Sequence, residues 1–318
     1  MRKLKGLLPI FTICAFLAVY FYSCDDSGTA THNDNVTFSY SGLKSLNQST
    51  DGIYEAWIYF GSPYNWYISC GKFNLNSTGQ VVDSIGNPVT LKLKYRPYDF
   101  NTAQFSLITI DPPNYYDSTP PPLRLLGGDV TYSSDYLTAS LNMQHKQALD
   151  SIGRSFTSAV ARYVLYTPTD TTKARWFDGI WFSDTSGNGG FVGLSSIPQN
   201  ATGWKYSVWI DSSSAKWERV GRFFNPYAAD DDGAGPYAGP LAGYSYPGQD
   251  YLYNNQPIFD LRGGWYTIHV CLEPTQNSNR FLDLFVGGVP NTITVGHLTT
   301  LPSNSANLPT ASIKISTQ

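Results

Sequence analysis

The sequence predicts an all-β protein in which two antiparallel β-sandwich domains follow an N-terminal export signal. Three observations support this fold class: apolar residues alternate with polar ones, turn residues separate the alternating runs, and several short motifs recur in order. Of the 318 residues, 42% are hydrophobic, which is enough for a folded core, and 28 are Gly and 20 are Pro. Only 2 are Met and no helix-forming residues dominate, so a helical bundle is excluded.

The first 24 residues are expected to form an export signal. Three cations, at Arg2, Lys3 and Lys5, precede an uncharged apolar stretch from Leu7 to Tyr22. This stretch is shorter than the roughly 20 residues that a membrane-spanning helix needs, and it has the order of an n-region and an h-region.

The end of this signal resembles a bacterial lipoprotein cleavage site, in which a small residue, here Ser23, precedes a cysteine that becomes lipidated. Cys24 is therefore the predicted lipidation site, and residues 25–34 are a polar tether. A plain signal peptide cut near Cys24 and an uncleaved anchor remain open as alternatives. The predicted location is the bacterial cell envelope outside the cytoplasm, on its periplasmic or its outer side.

The first domain is predicted to span residues 35–143. Val36, Phe38 and Tyr40 alternate with polar residues, as in a half-buried strand. Further strands are predicted in four runs that resemble this one and are separated by turn residues: Tyr54 to Phe60, Trp66 to Phe73, Val89 to Tyr95 and Phe105 to Ile110. Strands at this spacing without intervening helical patterns favour an antiparallel sandwich.

The second domain, residues 161–318, is predicted to be a divergent copy of the first. Four motifs recur in the same order: Tyr54–Ile58 as Tyr206–Ile210, Gly71–Phe73 as Gly221–Phe223, Ile110–Pro112 as Leu272–Pro274, and Leu125–Gly128 as Phe285–Gly288. The extra length of the second copy falls in a loop, 225–256, that is rich in Tyr, Gly and Asp. Between the copies, residues 144–160 are predicted to be a linker, either one helix with apolar residues every fourth position or an irregular segment.

These repeated motifs resemble the extracytoplasmic domain of anti-sigma-K factors. That family combines a Tyr-x-x-Trp strand, a Gly-x-Phe strand and a strand ending in Thr-x-Glu-Pro, which here are Tyr54–Ile58, Gly71–Phe73 and Thr109–Pro113. The resemblance implies a small β-sandwich outside the cytoplasmic membrane. The chain has only Met1 to Gly6 before its apolar stretch, so direct binding of a sigma factor is not expected.

Charge and motif searches exclude several function classes. The formal net charge is −3, and no basic stretch beyond the N-terminus could neutralise several phosphates, so nucleic acid is not an expected partner. The four histidines, at 32, 145, 269 and 297, are not at metal-binding spacing, and His269 is expected to be a packed or surface strand residue. No nucleophile elbow and no phosphate loop occurs. We therefore expect no enzyme activity and no cofactor, although a carboxylate pair distant in sequence stays open.

Cysteine use adds little to this picture. Beyond the export segment only Cys70 and Cys271 remain, each within an apolar run. Buried free thiols are expected at both positions, and a single bridge between them is the alternative.

An acidic triplet in the long loop is a candidate calcium site. Asp230, Asp231 and Asp232 repel one another, and a bound Ca²⁺ would relieve that repulsion through oxygen ligands. The candidate ligands are Asp230, Asp232 and Asp250. The alternative interpretation is a solvated acidic loop.

Tyrosines crowd the same loop and form a candidate ligand surface. Tyr237, Tyr244, Tyr246 and Tyr251 lie among glycines, and a Tyr ring suits a sugar or a protein partner because it offers a flat apolar face and a hydroxyl. In the alternative interpretation these rings cover the sandwich edge and pack the loop against it.

The predicted function is that of a non-catalytic envelope lipoprotein that acts in binding or scaffolding. Its expected partners are the membrane, through the lipid anchor, and an envelope protein or a glycan. Two alternatives stay open: an envelope-sensing accessory of a sigma and anti-sigma signalling system, and a carbohydrate-active enzyme.

Overall fold

The computed structural model confirms an all-β fold, and its described residues contain strands and short 3₁₀ turns but no α-helix. It describes residues 29–97, 99–133, 135–148, 156–172, 175–184, 192–198, 203–212, 217–252, 260–276 and 280–316. Cys24 and residues 25–28 of the predicted tether therefore lie outside the described residues. The rest of that segment was wrongly predicted as a tether, because residues 29–34 form the beginning of a strand, Thr29–Ser41, and pair with the strand Lys92–Pro97. Within them, no helix has the length and apolar character needed to cross a membrane.

Nine strands form the largest sheet, in which every pairing is antiparallel. Its order is β4-β3-β2-β6-β7-β8-β18-β1-β5. The strands are β1 (Thr29–Ser41), β2 (Ile53–Phe60), β3 (Trp66–Leu75), β4 (Val81–Val82), β5 (Lys92–Pro97), β6 (Ala103–Asp111), β7 (Arg124–Tyr132), β8 (Tyr136–Asn142) and β18 (Thr310–Ser316). The sheet curls so that β5, at one end of the order, contacts β3, near the other end.

Two smaller sheets are built from the second half of the chain. The four-stranded sheet has the order β13-β12-β15-β16, and the other has the order β11-β9-β10-β14 with β17 also paired to β9. These strands are β9 (Val160–Leu165), β10 (Gly179–Trp181), β11 (Leu194–Ser195), β12 (Trp204–Ser212), β13 (Trp217–Phe223), β14 (Gly248–Asp250), β15 (Tyr266–Pro274), β16 (Leu282–Gly288) and β17 (Thr299–Leu301).

Two groups of four strands share one pairing pattern. We call β3-β2-β6-β7 the first unit and β13-β12-β15-β16 the second unit, since the strands follow one another in the same order. Tyr54 lies opposite Phe73 in the first unit, and Tyr206 lies opposite Phe223 in the second. The motif residues thus occupy corresponding places in the two ladders.

Two irregularities of the two ladders also correspond, while a third, between Tyr59 and Phe60 where β2 pairs with β6, has no counterpart in the second unit. The first strand pair shifts register between Ala56 and Trp57 in the first unit, and between Val208 and Trp209 in the second. A further register shift follows in the last strand pair of each unit, after Ile108 and after Val270, respectively. Because bulges are specific local features rather than random defects, their coincidence strengthens the repeat read from the motifs.

Strand alternation sends one face of each unit into a shared apolar core. Residues of β2 at 54, 56, 58 and 60 and residues of β12 at 204, 206, 208 and 210 point into the same contiguous cluster. Tyr54 and Tyr206 donate their buried hydroxyls to the carbonyl oxygens of Lys44, at 2.9 Å, and Pro198, at 2.7 Å. Burying a large apolar side chain contributes about 1.5–3 kcal/mol, so these matching positions stabilise both units alike.

The two halves of the chain are also linked through strand pairing. β18, which the predicted boundaries assign to the second domain, pairs with β1 and β8 of the large sheet. The Lys44 ammonium donates to the carbonyl oxygen of Phe281 at 2.8 Å. The division into two sandwich domains stays a prediction, and any boundary must allow for this returning strand.

The predicted linker is described only at its ends. Residues 149–155 lie outside the described residues, a 3₁₀ turn spans Phe156–Ser158, and Val160 begins β9. Cys70 and Cys271 are buried free thiols.

Candidate functional site

The outward face of the first unit carries polar and aromatic side chains instead of core residues. On β2, Glu55, Trp57 and Tyr59 alternate with the buried apolar positions. Trp57 forms a small second apolar cluster with Phe105 and Leu107 of β6. This face is therefore partly apolar, and its charged residues lie against buried surface.

A buried charged cluster occupies one end of this face. The Lys72 ammonium lies 2.8 Å from Asp111 Oδ2 and 3.7 Å from Glu55 Oε2. Glu55 is 4% exposed and Asp111 is fully buried, whereas Lys72 keeps 35% of its side chain exposed. The hydroxyl of Ser69 donates to Glu55 Oε1. The ammonium of Lys72, on β3, thus lies close to two carboxyl groups, Glu55 on β2 and Asp111 on β6.

A short hydrogen-bond chain ties this charged cluster to the tryptophan. Trp57 Nε1 donates to Thr109 Oγ1 at 3.0 Å, and Thr109 Oγ1 donates to Asp111 Oδ1 at 2.9 Å. Both groups are buried, so these bonds satisfy polar atoms that water cannot reach.

Burial and crowding shift the proton equilibrium of the cluster. Burial, together with a hydrogen bond to Asp111, raises the pKa of Glu55 to about 8. Burial would lower the pKa of Lys72, but its bonds to Asp111 outweigh that effect and raise it. Glu55 therefore keeps its proton to a higher pH than an ordinary glutamate, while Lys72 stays charged.

A cleft of about 700 Å³ opens beside the cluster, and we call it the edge cleft. Its aromatic lining comes from Trp66 and Tyr67 of β3 and from Tyr95 of β5. Lys92 and Lys94 of β5 line it as well. Its remaining lining residues include Glu55, Trp57, Ser69 and the loop residues Asp117, Ser118 and Thr119.

The position of the edge cleft follows from the sheet topology. Within the described residues, β3 pairs along its length with β2 but with β4 only at Asn74 and Leu75. Its outer edge next to β5 therefore carries no strand ladder over Trp66–Phe73, and the cleft lies along this open edge.

A loop after β6 closes the other side of the charged cluster. The Lys72 ammonium donates to the carbonyl oxygen of Tyr115 at 2.7 Å and lies 5.9 and 5.8 Å from the rings of Tyr115 and Tyr116. A second cleft, of about 670 Å³, lies at this loop and includes Lys72 in its lining. Lys72 thus holds the loop and the two carboxyl groups together.

The second unit has a different polar arrangement at the corresponding positions. Glu273 Oε1 accepts hydrogen bonds from Ser207 Oγ at 2.6 Å and from Trp209 Nε1 at 2.7 Å. Its other oxygen, Oε2, is buried and has no hydrogen-bond partner among the described residues. A tryptophan is again linked to a buried carboxylate, but here the bond is direct.

A third cleft, of about 460 Å³, lies at the end of the second unit, and we call it the second-unit cleft. Lys205 of β12 and Arg222 of β13 line it, together with the exposed ring of Phe224. Asp230 and Asp231 of the long loop form its acidic side. It lies where the cleft at the Tyr115 loop lies in the first unit, since Arg222 corresponds to Lys72.

The predicted calcium ligands are only partly brought together. Carboxylate oxygens of Asp230, Asp231 and Asp232 lie within 4.8 Å of one another. Asp231 also pairs with Arg222, whose Nε lies 3.0 Å from its Oδ2. Asp250 is fully buried, with Oδ1 accepting from Trp181 Nε1 at 2.7 Å. Calcium binding stays a prediction, and three of these four carboxylates already have protein partners, since Asp230 Oδ2 accepts from the backbone N–H of Gly248 at 3.0 Å.

Burial also changes the charge of this acidic loop. Burial, followed by the charge of Asp232, raises the pKa of Asp230 to about 8, and burial raises the pKa of Asp232 as well. For Asp231, burial is outweighed by hydrogen bonds to Arg222, and its pKa is lowered.

The four predicted ligand-binding tyrosines differ in exposure. Tyr246 and Tyr251 are buried, with 7% and 3% exposed. Tyr237 is half-buried and stacks on Tyr251 with ring centres 6.4 Å apart. Tyr244 is half-buried and lies 5.3 Å from the Trp181 ring. These contacts are those expected if the rings pack the loop, and their role in ligand binding stays a prediction.

Histidine 269 lies on the outer face of the second unit. It is 5% exposed in β15, with Nε2 3.6 Å from Asp211 and Nδ1 3.6 Å from Asp283. It is therefore a packed strand residue between two carboxylates.

Sequence reasoning missed the charged cluster of the first unit. Glu55, Lys72 and Asp111 each stand inside a motif that revealed the repeat, but those motifs were read only as structure. One feature of the sequence could have predicted this cluster: a charged residue, such as Glu55, at an outward position of an otherwise apolar strand. The sequence contains no local pattern that predicts the edge cleft, because the cleft forms only where the large sheet curls and brings β5 next to β3.

No family model, curated protein or solved structure matches the chain. The resemblance to the extracytoplasmic domain of anti-sigma-K factors accordingly stays a prediction that rests on the quoted motifs.

Proposed function

We propose that the chain is a non-catalytic, exported envelope lipoprotein whose first unit binds a glycan in the edge cleft. The observation that carries this proposal is the lining of that cleft by three aromatic side chains, Trp66, Tyr67 and Tyr95, next to two lysines. Tyr95 is 53% exposed, so its ring is available to a ligand.

The chemistry of the edge cleft suits a sugar chain. Aromatic rings stack on the apolar faces of sugar rings, while hydroxyl, ammonium and carboxylate groups bind sugar hydroxyls. Lys92, Lys94, Asp117 and Thr119 supply such polar groups along the rim. The cleft is lined by residues of β2, β3, β5 and the loop after β6, which suits a ligand that contacts several residues at once.

The charged cluster supports a binding role over catalysis. In the usual glycoside hydrolases two carboxyl groups flank the scissile bond about 5–9.5 Å apart, each with a separate task. Glu55 and Asp111 instead share one cation, Lys72. Both are also more than nine-tenths buried, so the pair stabilises the cleft wall.

The proposed envelope location rests on the predicted export signal, with Cys24 as the proposed lipid anchor. In this proposal the two units are divergent copies of one anti-sigma-K-like module, supported by their matching strand order and register shifts.

The proposal is tested by screening the chain without its signal on a printed polysaccharide array, followed by affinity electrophoresis in the polysaccharide that binds best. We expect Tyr67→Ala and Tyr95→Ala each to weaken retardation at least tenfold. Tyr132→Ala is the matched control, because Tyr132 is 43% exposed and does not line the edge cleft. Absence of binding to every polysaccharide, or equal retardation of all variants, would contradict the proposal.

A further inference from the structure

The cleft at the Tyr115 loop, which we call the loop cleft, takes no part in the function proposed above. It encloses about 670 Å³ among three connecting segments at one end of the first unit. These segments are the turn before β2, the turn after β4 and the loop after β6, and they contribute Gln48 and Ser49, Asp83 and Ser84, and residues 112–116, respectively. A cleft of this volume lies within the range of ligand sites.

Tyr116 presents an open aromatic ring to the loop cleft. Its side chain is 87% exposed, more than any other large hydrophobic side chain among the described residues. Within that part of the chain its ring contacts no other ring, and the Lys72 ammonium lies 5.8 Å from the ring centre. Single exposed aromatic residues are common, but a ring on the wall of a cleft can stack on a ligand and gain by leaving water.

The backbone of the loop that carries this ring is restrained. Pro112 and Pro113 limit its conformations at the start, because the pyrrolidine ring fixes φ. Further along, the Lys72 ammonium donates to the carbonyl oxygen of Tyr115 at 2.7 Å, and the Tyr115 hydroxyl donates to the carbonyl oxygen of Thr119 at 2.9 Å. A ring on a restrained loop loses less conformational entropy when a ligand binds than one on a free chain.

The loop cleft and the edge cleft lie side by side along the same three segments of the first unit. Each segment contributes neighbouring residues to both clefts: Ile53 and Glu55 on β2, Lys72 and Gly71 on β3, and Tyr116 and Asp117 in the loop after β6. Ile53 and Glu55 are two positions apart and therefore share the outer face of β2, about 7 Å from each other. The two clefts thus meet within one or two residues on every segment.

The boundary between the clefts is the contact of Lys72 with the loop, and we call it the Lys72 ridge. Lys72 reaches from β3 to the carbonyl oxygen of Tyr115, and 35% of its side chain stays exposed. A chain-like ligand can therefore cross the Lys72 ridge in contact with an accessible side chain. Its ammonium is a hydrogen-bond donor, which suits the hydroxyl groups of a sugar.

The charges of both clefts favour an uncharged ligand. The loop cleft has one cation, Lys72, and one acid, Asp83, in its lining. The lining of the edge cleft holds two lysines and two acids. Neither lining has an excess of charge that would select an acidic or a basic ligand. Asn114 and Ser84 supply uncharged polar groups to the loop cleft, and their side chains form no hydrogen bond with any described residue.

We propose that the loop cleft is a second subsite for the glycan of the edge cleft, so that one uncharged polysaccharide chain crosses the Lys72 ridge and stacks on Tyr116. This inference rests on the proposed function, because it extends the site described there. Short oligosaccharides occupy only the edge cleft, where three aromatic side chains line the site. Only a longer chain fills both clefts, so the loop cleft makes affinity depend on chain length.

The test measures affinity against chain length by calorimetry. The probes are oligosaccharides from the disaccharide to the decasaccharide, made by partial acid hydrolysis of the uncharged polysaccharide that binds best on the array. We expect the decasaccharide to bind at least tenfold more tightly than the shortest oligosaccharide that binds. A longer chain also gains affinity by offering more overlapping registers, but that gain does not depend on Tyr116.

Three variants make this test specific. Tyr116→Ala is expected to lower affinity for the decasaccharide at least tenfold and to leave affinity for the shortest binding oligosaccharide unchanged. Tyr95→Ala should weaken both, because Tyr95 lines the edge cleft. Tyr227→Ala is the matched control, since Tyr227 is 55% exposed and lines neither cleft. All three changes are at exposed positions, so the melting temperature of the free protein should stay the same.

Unchanged affinity of Tyr116→Ala for the decasaccharide, with the loss in Tyr95→Ala present, would overturn the second subsite and leave the edge cleft as a glycan site. If Tyr95→Ala loses nothing, or if no polysaccharide binds, the proposed function itself fails. Binding of acidic polysaccharides alone would overturn the uncharged ligand. An equal loss for short and long chains in Tyr116→Ala would place the main site in the loop cleft and overturn the order of the two subsites.

Discussion

The first and second units share a strand order and register shifts but differ in the charges on their outer faces. In the first unit, Lys72 joins two buried carboxyl groups in one cluster. In the second, Arg222 pairs with Asp231 of the long loop, and the Lys205 ammonium forms no hydrogen bond or ion pair with any of the described residues. The inward-facing residues and the strand register are therefore common to both units, whereas the outward-facing residues differ and can serve a different role in each.

The largest expected difference between the units concerns their corresponding cations. Lys72→Met leaves Glu55 and Asp111 buried without their cation, and should lower the free energy of unfolding by about 3–5 kcal/mol. Arg222→Met breaks a pair whose side chains are 24% and 36% exposed, and should cost about 1 kcal/mol or less. Urea unfolding of both variants measures this difference. Equal losses would mean that the two outer faces are not distinct in the way described.

A smaller effect is expected in the pH dependence of stability. Because the pKa of Glu55 is raised from 4.5 to about 8, the folded state holds a proton that the unfolded state releases between these values. The free energy of unfolding should therefore fall as pH rises from about 4.5 to 8. Asp230, whose pKa is also raised to about 8, contributes with the same sign.

Glu55→Gln keeps the neutral form of the side chain and should make this decline shallower, which urea unfolding at several pH values would reveal. The matched variant Asp230→Asn tests the contribution of the second unit. A wild-type stability that rises with pH over this window would contradict the assignment.

The smallest effect is expected for the paired tryptophans. Trp209→Phe removes a hydrogen bond to the carboxylate of Glu273, which is worth about 1.5–3 kcal/mol. Trp57→Phe removes one to the neutral hydroxyl of Thr109, worth about 0.5–1.5 kcal/mol. Chemical unfolding should therefore rank Trp209→Phe as the more destabilising variant, and the reverse order would mean that the packing of the ring outweighs its hydrogen bond.

Much of the fold could be predicted because strands have a local signature. The alternating runs Tyr54 to Phe60 and Trp66 to Phe73 predict the ends of β2 and β3 to within two residues. The repeated motifs also predict where both four-stranded units lie in the sequence. The return of β18 into the large sheet could not be predicted, since Thr310–Ser316 alternates like any other strand and its partners are more than 160 residues away.

The candidate site was harder to predict than the fold. The loop tyrosines attracted notice by their number, yet Tyr246 and Tyr251 are used in packing. Glu55 and Lys205 gave no local sign of their surroundings, because burial and pairing depend on strands brought together by the sheet. The composition of a segment indicates which reactive residue types it contains, but whether a charged group is paired depends on its neighbours in the folded structure.

The most direct test of the central claim is amide hydrogen exchange with and without the best-binding polysaccharide from the array. The account predicts that slower exchange on binding is concentrated in Trp66–Ser69 of β3 and Lys92–Tyr95 of β5, which line the edge cleft. Slower exchange confined to the loop around Tyr237 and Tyr244, with β3 and β5 unchanged, would contradict it and place the glycan on the second half of the chain.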